Sequence, residues 1–129
     1  MRYALGTMIT YLDGNDEYYP DYLEQVARLG EQGDVLIFGY DYIKQADGEI
    51  PEFGTWSSIP NRHLLFLDCP AIPLGVAHRR ALWEQVGGFD ENLWQAEHWD
   101  FLRRLARHGA AVHQGDCTVT YAPNSTLCR

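Results

Sequence analysis

Residues Thr7–Glu17 read TMITYLDGNDE. The first part, Thr7–Leu12, is rich in β-forming residues and reads as a strand. It runs straight into an acidic turn, Asp13-Gly14-Asn15-Asp16-Glu17. A strand that ends in Asp-x-Asn-Asp delivers several oxygen ligands to one point at its carboxyl end. Hard cations such as Mg²⁺ or Mn²⁺ favour oxygen ligands, and a diphosphate bound there would be neutralised by the same ion. The same residues also suit a solvated turn, with Asp16 or Glu17 favouring the N-terminus of a following helix. An EF-hand fits poorly: Tyr18 stands where the loop needs Gly, and Pro20 falls inside it.

Outward from this stretch, strand and helix alternate. Pro20 suits the first turn of a helix, and Tyr22, Leu23, Val26, Ala27 and Leu29 follow at helical spacing up to Gly30 and Gly33. Asp34–Lys44 (DVLIFGYDYIK) reads as a buried strand, and Ala46-Asp47-Gly48 as a turn. Residues 49–74 are rich in Pro and aromatics without clear periodicity, which suggests a long loop with short pieces of strand. Loops of that length in a compact domain usually serve function. Gly75–Ala77 suggests a short strand and Arg79–Val86 a short helix stopped by Gly87-Gly88. Phe89–Asn92 makes a turn. Glu97–His108 is the clearest helix, with Leu102, Leu105 and Ala106 on one face and Gly109 as its cap. Ala110–His113 and Thr118–Tyr121 read as two closing strands. The order implies an α/β domain.

The chain of 129 residues fits one domain, with 46% hydrophobic and 22% charged residues, and no apolar run long enough to span a bilayer. Residues 1–60 hold 11 acids and 3 bases, while residues 61–129 are balanced and hold all five histidines. The overall charge of −8 argues against a nucleic-acid or anionic-membrane surface and is compatible with a site that gathers a divalent cation. Cys69, Cys117 and Cys128 share no close spacing, and no secretory signal is visible. A cytoplasmic, reducing setting is the expectation.

A second cluster, Glu97-His98-Trp99-Asp100, opens the clearest helix. Glu97 and Asp100 share a face, and a neutral His98 can act as a base near pH 7. The structural alternative has both acids favoured by the helix dipole, Asp100 paired with Arg103 or Arg104, and Trp99 in the core.

The two clusters, with GVAHRRALWEQVGGFDENLW between them, resemble the C-terminal part of a family-2, GT-A-fold glycosyltransferase domain. Ile9–Asp16 resembles that family's strand and Asp-x-Asp-Asp turn. Pro20-Asp21-Tyr22-Leu23 resembles the helix that follows. Val86-Gly87-Gly88-Phe89-Asp90-Glu91 resembles its Gly-Gly-Phe-Asp-Glu signature. Glu97-His98-Trp99-Asp100-Phe101 resembles its Glu-Asp-x-Asp helix start. The correspondence spans about Arg2 to Tyr121. It implies a partial GT-A (Rossmann-like) sandwich with a mixed sheet flanked by helices, and the N-terminal nucleotide-binding half missing.

The resemblance also implies metal-assisted transfer of a sugar, with inversion, from a nucleotide-diphosphate sugar to an acceptor hydroxyl. Asp13, Asn15 and Asp16 would face the donor and a divalent cation, Mg²⁺ or Mn²⁺. His98, Glu97 or Asp100 would take the acceptor's proton. Two residues depart from the pattern. Asn15 replaces the second acid, so that metal binding is weaker or Asp16 assists. His98 replaces the base Asp, so that His98, Glu97 or Asp100 serves, or the domain is a non-catalytic sugar- or nucleotide-binding module. The family's further metal-binding His has no match at Val119–Ala122, and His113 is a weak substitute. Trp94 could stack on an acceptor sugar or simply pack. Arg79-Arg80 could reach a diphosphate or form a solvated helix start.

Overall fold

The computed structural model describes residues 3–14, 16–44, 52–56 and 75–121. In chain order the elements are β1 (Met8–Thr10), β2 (Asp16–Tyr18), α1 (Tyr22–Leu29), β3 (Val35–Lys44), β4 (Glu52–Trp56), β5 (Val76–Arg79), α2 (Arg80–Val86), α3 (Glu97–His108) and β6 (Ala111–Tyr121). One mixed six-stranded sheet runs β1-β5-β3-β6-β2, with β4 paired to the outer half of β3. Among the described strands only β3 and β6 pair in parallel. The expected mixed sheet flanked by helices is therefore present.

The central strand explains the layers. Successive side chains of a strand face opposite ways, so an uninterrupted apolar run needs cover on both sides. Val35 and Ile37 pack with Leu82 of α2 and with Phe101, Leu102, Leu105 and Ala106 of α3. Leu36 and Phe38 face the other way, onto Tyr22, Val26 and Leu29 of α1. Arg79 ties the near ends together: its Nε donates to Asp34 Oδ1 at 3.1 Å and its guanidinium donates to Gly30 O. Asp34 Oδ2 in turn accepts from Ala110 N at 3.2 Å, just ahead of β6.

Several sequence expectations need correction. The acidic segment is not all turn, because Asp16 and Glu17 belong to β2, which pairs antiparallel with Thr118–Thr120 of β6. The two closing strands are a single strand; the polar Gln114–Cys117 stretch is taken up by register shifts opposite Phe38–Tyr40. Pro20 lies just ahead of α1, whose N-cap is Asp21, and Arg79 ends β5 instead of starting α2. Asn15, the 46–48 turn, Cys69 and Cys128 lie outside the described residues, as does the 49–74 loop apart from β4. Among the described residues no helix is long and apolar enough to cross a membrane.

Candidate active site

The chain enters α3 through Ala96, a non-glycine residue in the left-handed region (φ 58°, ψ 21°). Its carbonyl accepts the first helical bond, from Asp100 N at 3.0 Å. Glu97 and Asp100 then occupy the first turn, where the helix dipole favours negative charge. The three candidate bases do not have equivalent surroundings. Asp100 Oδ2 accepts from Arg104 Nε at 2.9 Å and Nη2 at 2.7 Å. Arg104 Nη1 also donates to Val86 O at 2.9 Å and Gly88 O at 2.7 Å. Asp100 is thus part of a brace between α3 and the end of α2. The expected pairing with Arg103 or Arg104 is realised with Arg104. Trp99 is half-buried, with the Arg103 guanidinium 5.4 Å from its ring. Glu97 and His98 form a separate pair, Oε1 to Nε2 at 3.3 Å, with side chains 38% and 46% exposed. That exposure leaves the pair open to a substrate.

The Gly-Gly signature has a conformational cause. Gly87 and Gly88 have φ of 81° and 75°, which side-chain-bearing residues rarely adopt. A Cβ on Gly88 would also come within 2.8 Å of the Trp83 ring. The reversal closes α2 and delivers Phe89 beneath α3. Phe89 stacks on Phe101 at 4.4 Å between ring centroids. It meets His98 edge-on at 5.7 Å and Tyr11 edge-on at 6.2 Å. One aromatic ring therefore touches both the end of the first strand and the start of α3.

Tyr11 is itself fixed. Its hydroxyl lies 2.7 Å from His78 Nε2, and His78 Nδ1 lies 2.9 Å from Arg79 O. A carbonyl only accepts, so Nδ1 carries the proton and Nε2 receives the Tyr11 hydroxyl. His78 is fully buried, and burial holds its pKa below the usual histidine value against the raising effect of the Arg79 carbonyl. Burial also pushes the Tyr11 hydroxyl well above its ordinary value. Motif reasoning missed His78. Its one signal is its place at the end of an apolar strand segment, Val76-Ala77-His78.

From Tyr11 the chain passes to the acidic segment. β1 and β2 stand at opposite ends of the strand order, so the chain crosses the sheet edge to edge after Thr10. Tyr18 Oη donates to Tyr11 O at 2.6 Å, and Asp16 N donates to Asp13 O at 3.0 Å. The segment is thus closed into a loop, with Asp13 exposed and Asp16 half-buried. Asp13 stands in this loop and Asp16 at the start of β2; a Mg²⁺ or Mn²⁺ ion is commonly held by one or two carboxylates together with waters and substrate phosphates. Among the described residues no group of three or more His, Cys, Asp or Glu side chains is gathered for a metal ion. Neither Asn15 nor the side chain of His113 is among the described features.

Trp94 lies in the bend before α3 and is 87% exposed, so it is not core. The loop leading to it is shaped by Asp90, whose Oδ1 accepts from Asn92 N and Nδ2 at 3.0 and 3.1 Å. Arg79 is bound to Asp34 and Gly30, and Arg80 to Glu84 at 3.2 Å, which favours the structural reading of both.

No protein-family model matches the chain, and no curated protein matches it in sequence. Among solved structures it is similar to the S. aureus glycosyltransferase TarS, residues 1–349, with a TM-score of 0.62 and 16% identity. The likeness covers 95% of this chain and 38% of the TarS chain. At that identity the comparison speaks to architecture alone: this chain has a glycosyltransferase-like fold and spans little more than a third of the structure it resembles.

Proposed function

We propose that the chain is the acceptor-side part of a family-2 glycosyltransferase domain that transfers a sugar, with inversion, from a nucleotide-diphosphate sugar to a hydroxyl acceptor. The observation that carries this reading is the aromatic wall Tyr11–Phe89–His98 on a glycosyltransferase-like fold. It joins the strand that leads to Asp13 with the exposed Glu97–His98 pair.

Asp13 and Asp16, with Asn15 between them in sequence, would hold a divalent cation, which would neutralise the charge that builds on the departing diphosphate. His98 takes the proton of the acceptor hydroxyl as its oxygen bonds to the anomeric carbon and the bond to the diphosphate breaks on the opposite side. Glu97 orients the imidazole and balances its charge after proton uptake. Asp100, bound by Arg104, is assigned a positioning role. Trp94 offers a flat apolar face to an acceptor sugar.

The chain spans 38% of the structure it resembles, and turnover is assigned to a longer chain. Binding of inorganic pyrophosphate to the 129-residue chain, with and without Mn²⁺, provides the first test. It should bind in a Mn²⁺-dependent way that Asp13→Ala abolishes; no binding, or binding unaffected by that change, would overturn the assignment. In a chain extended upstream to include a donor-binding segment, His98→Ala should lower kcat by about 10²–10⁴-fold with donor affinity unchanged. Donor binding without turnover, even before substitution, would favour a non-catalytic module, a reading supported by Asn15 and His98 standing where the resemblance calls for acids.

A further inference from the structure

A groove of about 540 Å³ lies between β2, the outer half of β3 and β4. It shares no residue with Asp13 or with positions 97–100. Its size falls within the range of small-molecule sites. The strand registers explain how it forms. Glu17 pairs with Val119, Val119 with Asp41, and Asp41 with Thr55, which sets Glu17, Asp41 and Thr55 in one cross-strand row. Phe53, two residues from Thr55, falls on the same face and is 71% exposed. Tyr42 lies across Gly54, where a Cβ would come within 2.2 Å of its ring.

The chemistry of the lining is one-sided. Thr55 Oγ1 donates to Asp41 Oδ1 at 2.7 Å, and the Tyr19 hydroxyl donates to Asp41 Oδ2. These two bonds, Tyr19 first, hold the Asp41 carboxyl below the usual carboxylate range, against a smaller desolvation effect. Both hydroxyl protons are committed to Asp41, so neither remains for a ligand. Glu17 adds a second carboxylate, and among the described lining residues there is no Lys, Arg or His. Two carboxylates, Glu17 and Asp41, disfavour phosphates and other anions here. The groove suits a ligand that supplies the donors itself and has an apolar face for an aromatic ring.

We propose that this groove binds an uncharged saccharide. Sugar hydroxyls donate to Asp41 and Glu17, and the C–H face of a ring packs on Phe53. The inference rests on the glycosyltransferase reading and deepens it: the saccharide is a portion of the acceptor glycan other than the unit whose hydroxyl reacts.

The test is an amide-shift titration of the 129-residue chain with maltotriose, cellotriose and triacetylchitotriose. At least one should shift residues 17–19, 41–43 and 53–55 together. Phe53→Ala and Asp41→Asn should each weaken that binding about tenfold, equivalent to about 1.4 kcal/mol. Phe53 is largely exposed, so its removal leaves the core intact. No shift with any of the three, or binding indifferent to both substitutions, would overturn the proposal. So would spermine moving the same residues where the glycans do not, which would make this a cation site. Pyrophosphate and Mn²⁺ binding are read at Asp13, so failure of the groove and failure of the transferase reading give different results.

Discussion

The start of α3 and the acidic loop are the two halves of the proposed site, and they differ in how firmly their acids are held. Around α3 the fixing is done by side chains: Arg104 binds Asp100 and two carbonyls of the preceding turn, and Phe89 wedges against His98 and Phe101. In the acidic loop the Tyr18 hydroxyl donates to Tyr11 O and Asp16 N to Asp13 O, and the Asp13 side chain is exposed. The contrast suits two tasks. A base must be aimed at one proton, which requires a rigid surround. Carboxylates that hold an ion need only be brought near one point, because the ion completes the geometry.

The comparison can be broken or sharpened by substitution. Leu105, fully buried between α3 and the sheet, should cost about 2–5 kcal/mol when cut to Ala, read by urea denaturation; a cost below about 1 kcal/mol would mean that α3 is not the rigid half. Arg104→Met keeps the stem and removes the brace. Its partners are partly exposed, so the expected loss is about 1–3 kcal/mol.

His78 gives a pH signature of the wall behind Tyr11. Its folded pKa lies below the unfolded value of about 6.5. As pH falls beneath about 6.5, the unfolded chain takes up a proton that the folded chain refuses, so this contribution to stability is lost toward acid. The slope is at most about 1.4 kcal/mol per pH unit, and His78→Gln should flatten it relative to the parent. The smallest effect is expected at Asp13→Ala, within about 0.5 kcal/mol in the absence of metal and nucleotide, by thermal melting. A large loss there would mean that the loop is a structural brace and not an open ligand site.

Local pattern made part of this legible. The bounds of α3 follow from helical spacing closed by Gly109, and β3 from an apolar run that only a twice-covered strand can carry. What escaped was non-local. Asp16–Tyr18 is a polar edge strand because β6, about a hundred residues later, pairs with it, and nothing in Asp-Glu-Tyr announces that. Gln114–Cys117 has the composition of a turn, yet the parallel register with β3 absorbs it as irregularity within one strand. At the site, the sequence placed Glu97, His98 and Asp100 together. It left open which of them Arg104 would bind, and it gave no sign that Tyr11 leans on His78.

Ala96 has a consequence for which sequences this site tolerates. A left-handed alanine costs roughly 1 kcal/mol, and a β-branched side chain there would cost more. Position 96 should therefore accept Gly, Asn or Asp and reject Val, Ile or Thr, although it is neither core nor reactive. Selection at this residue acts on a backbone angle, and through it on the direction in which the next two side chains leave the helix.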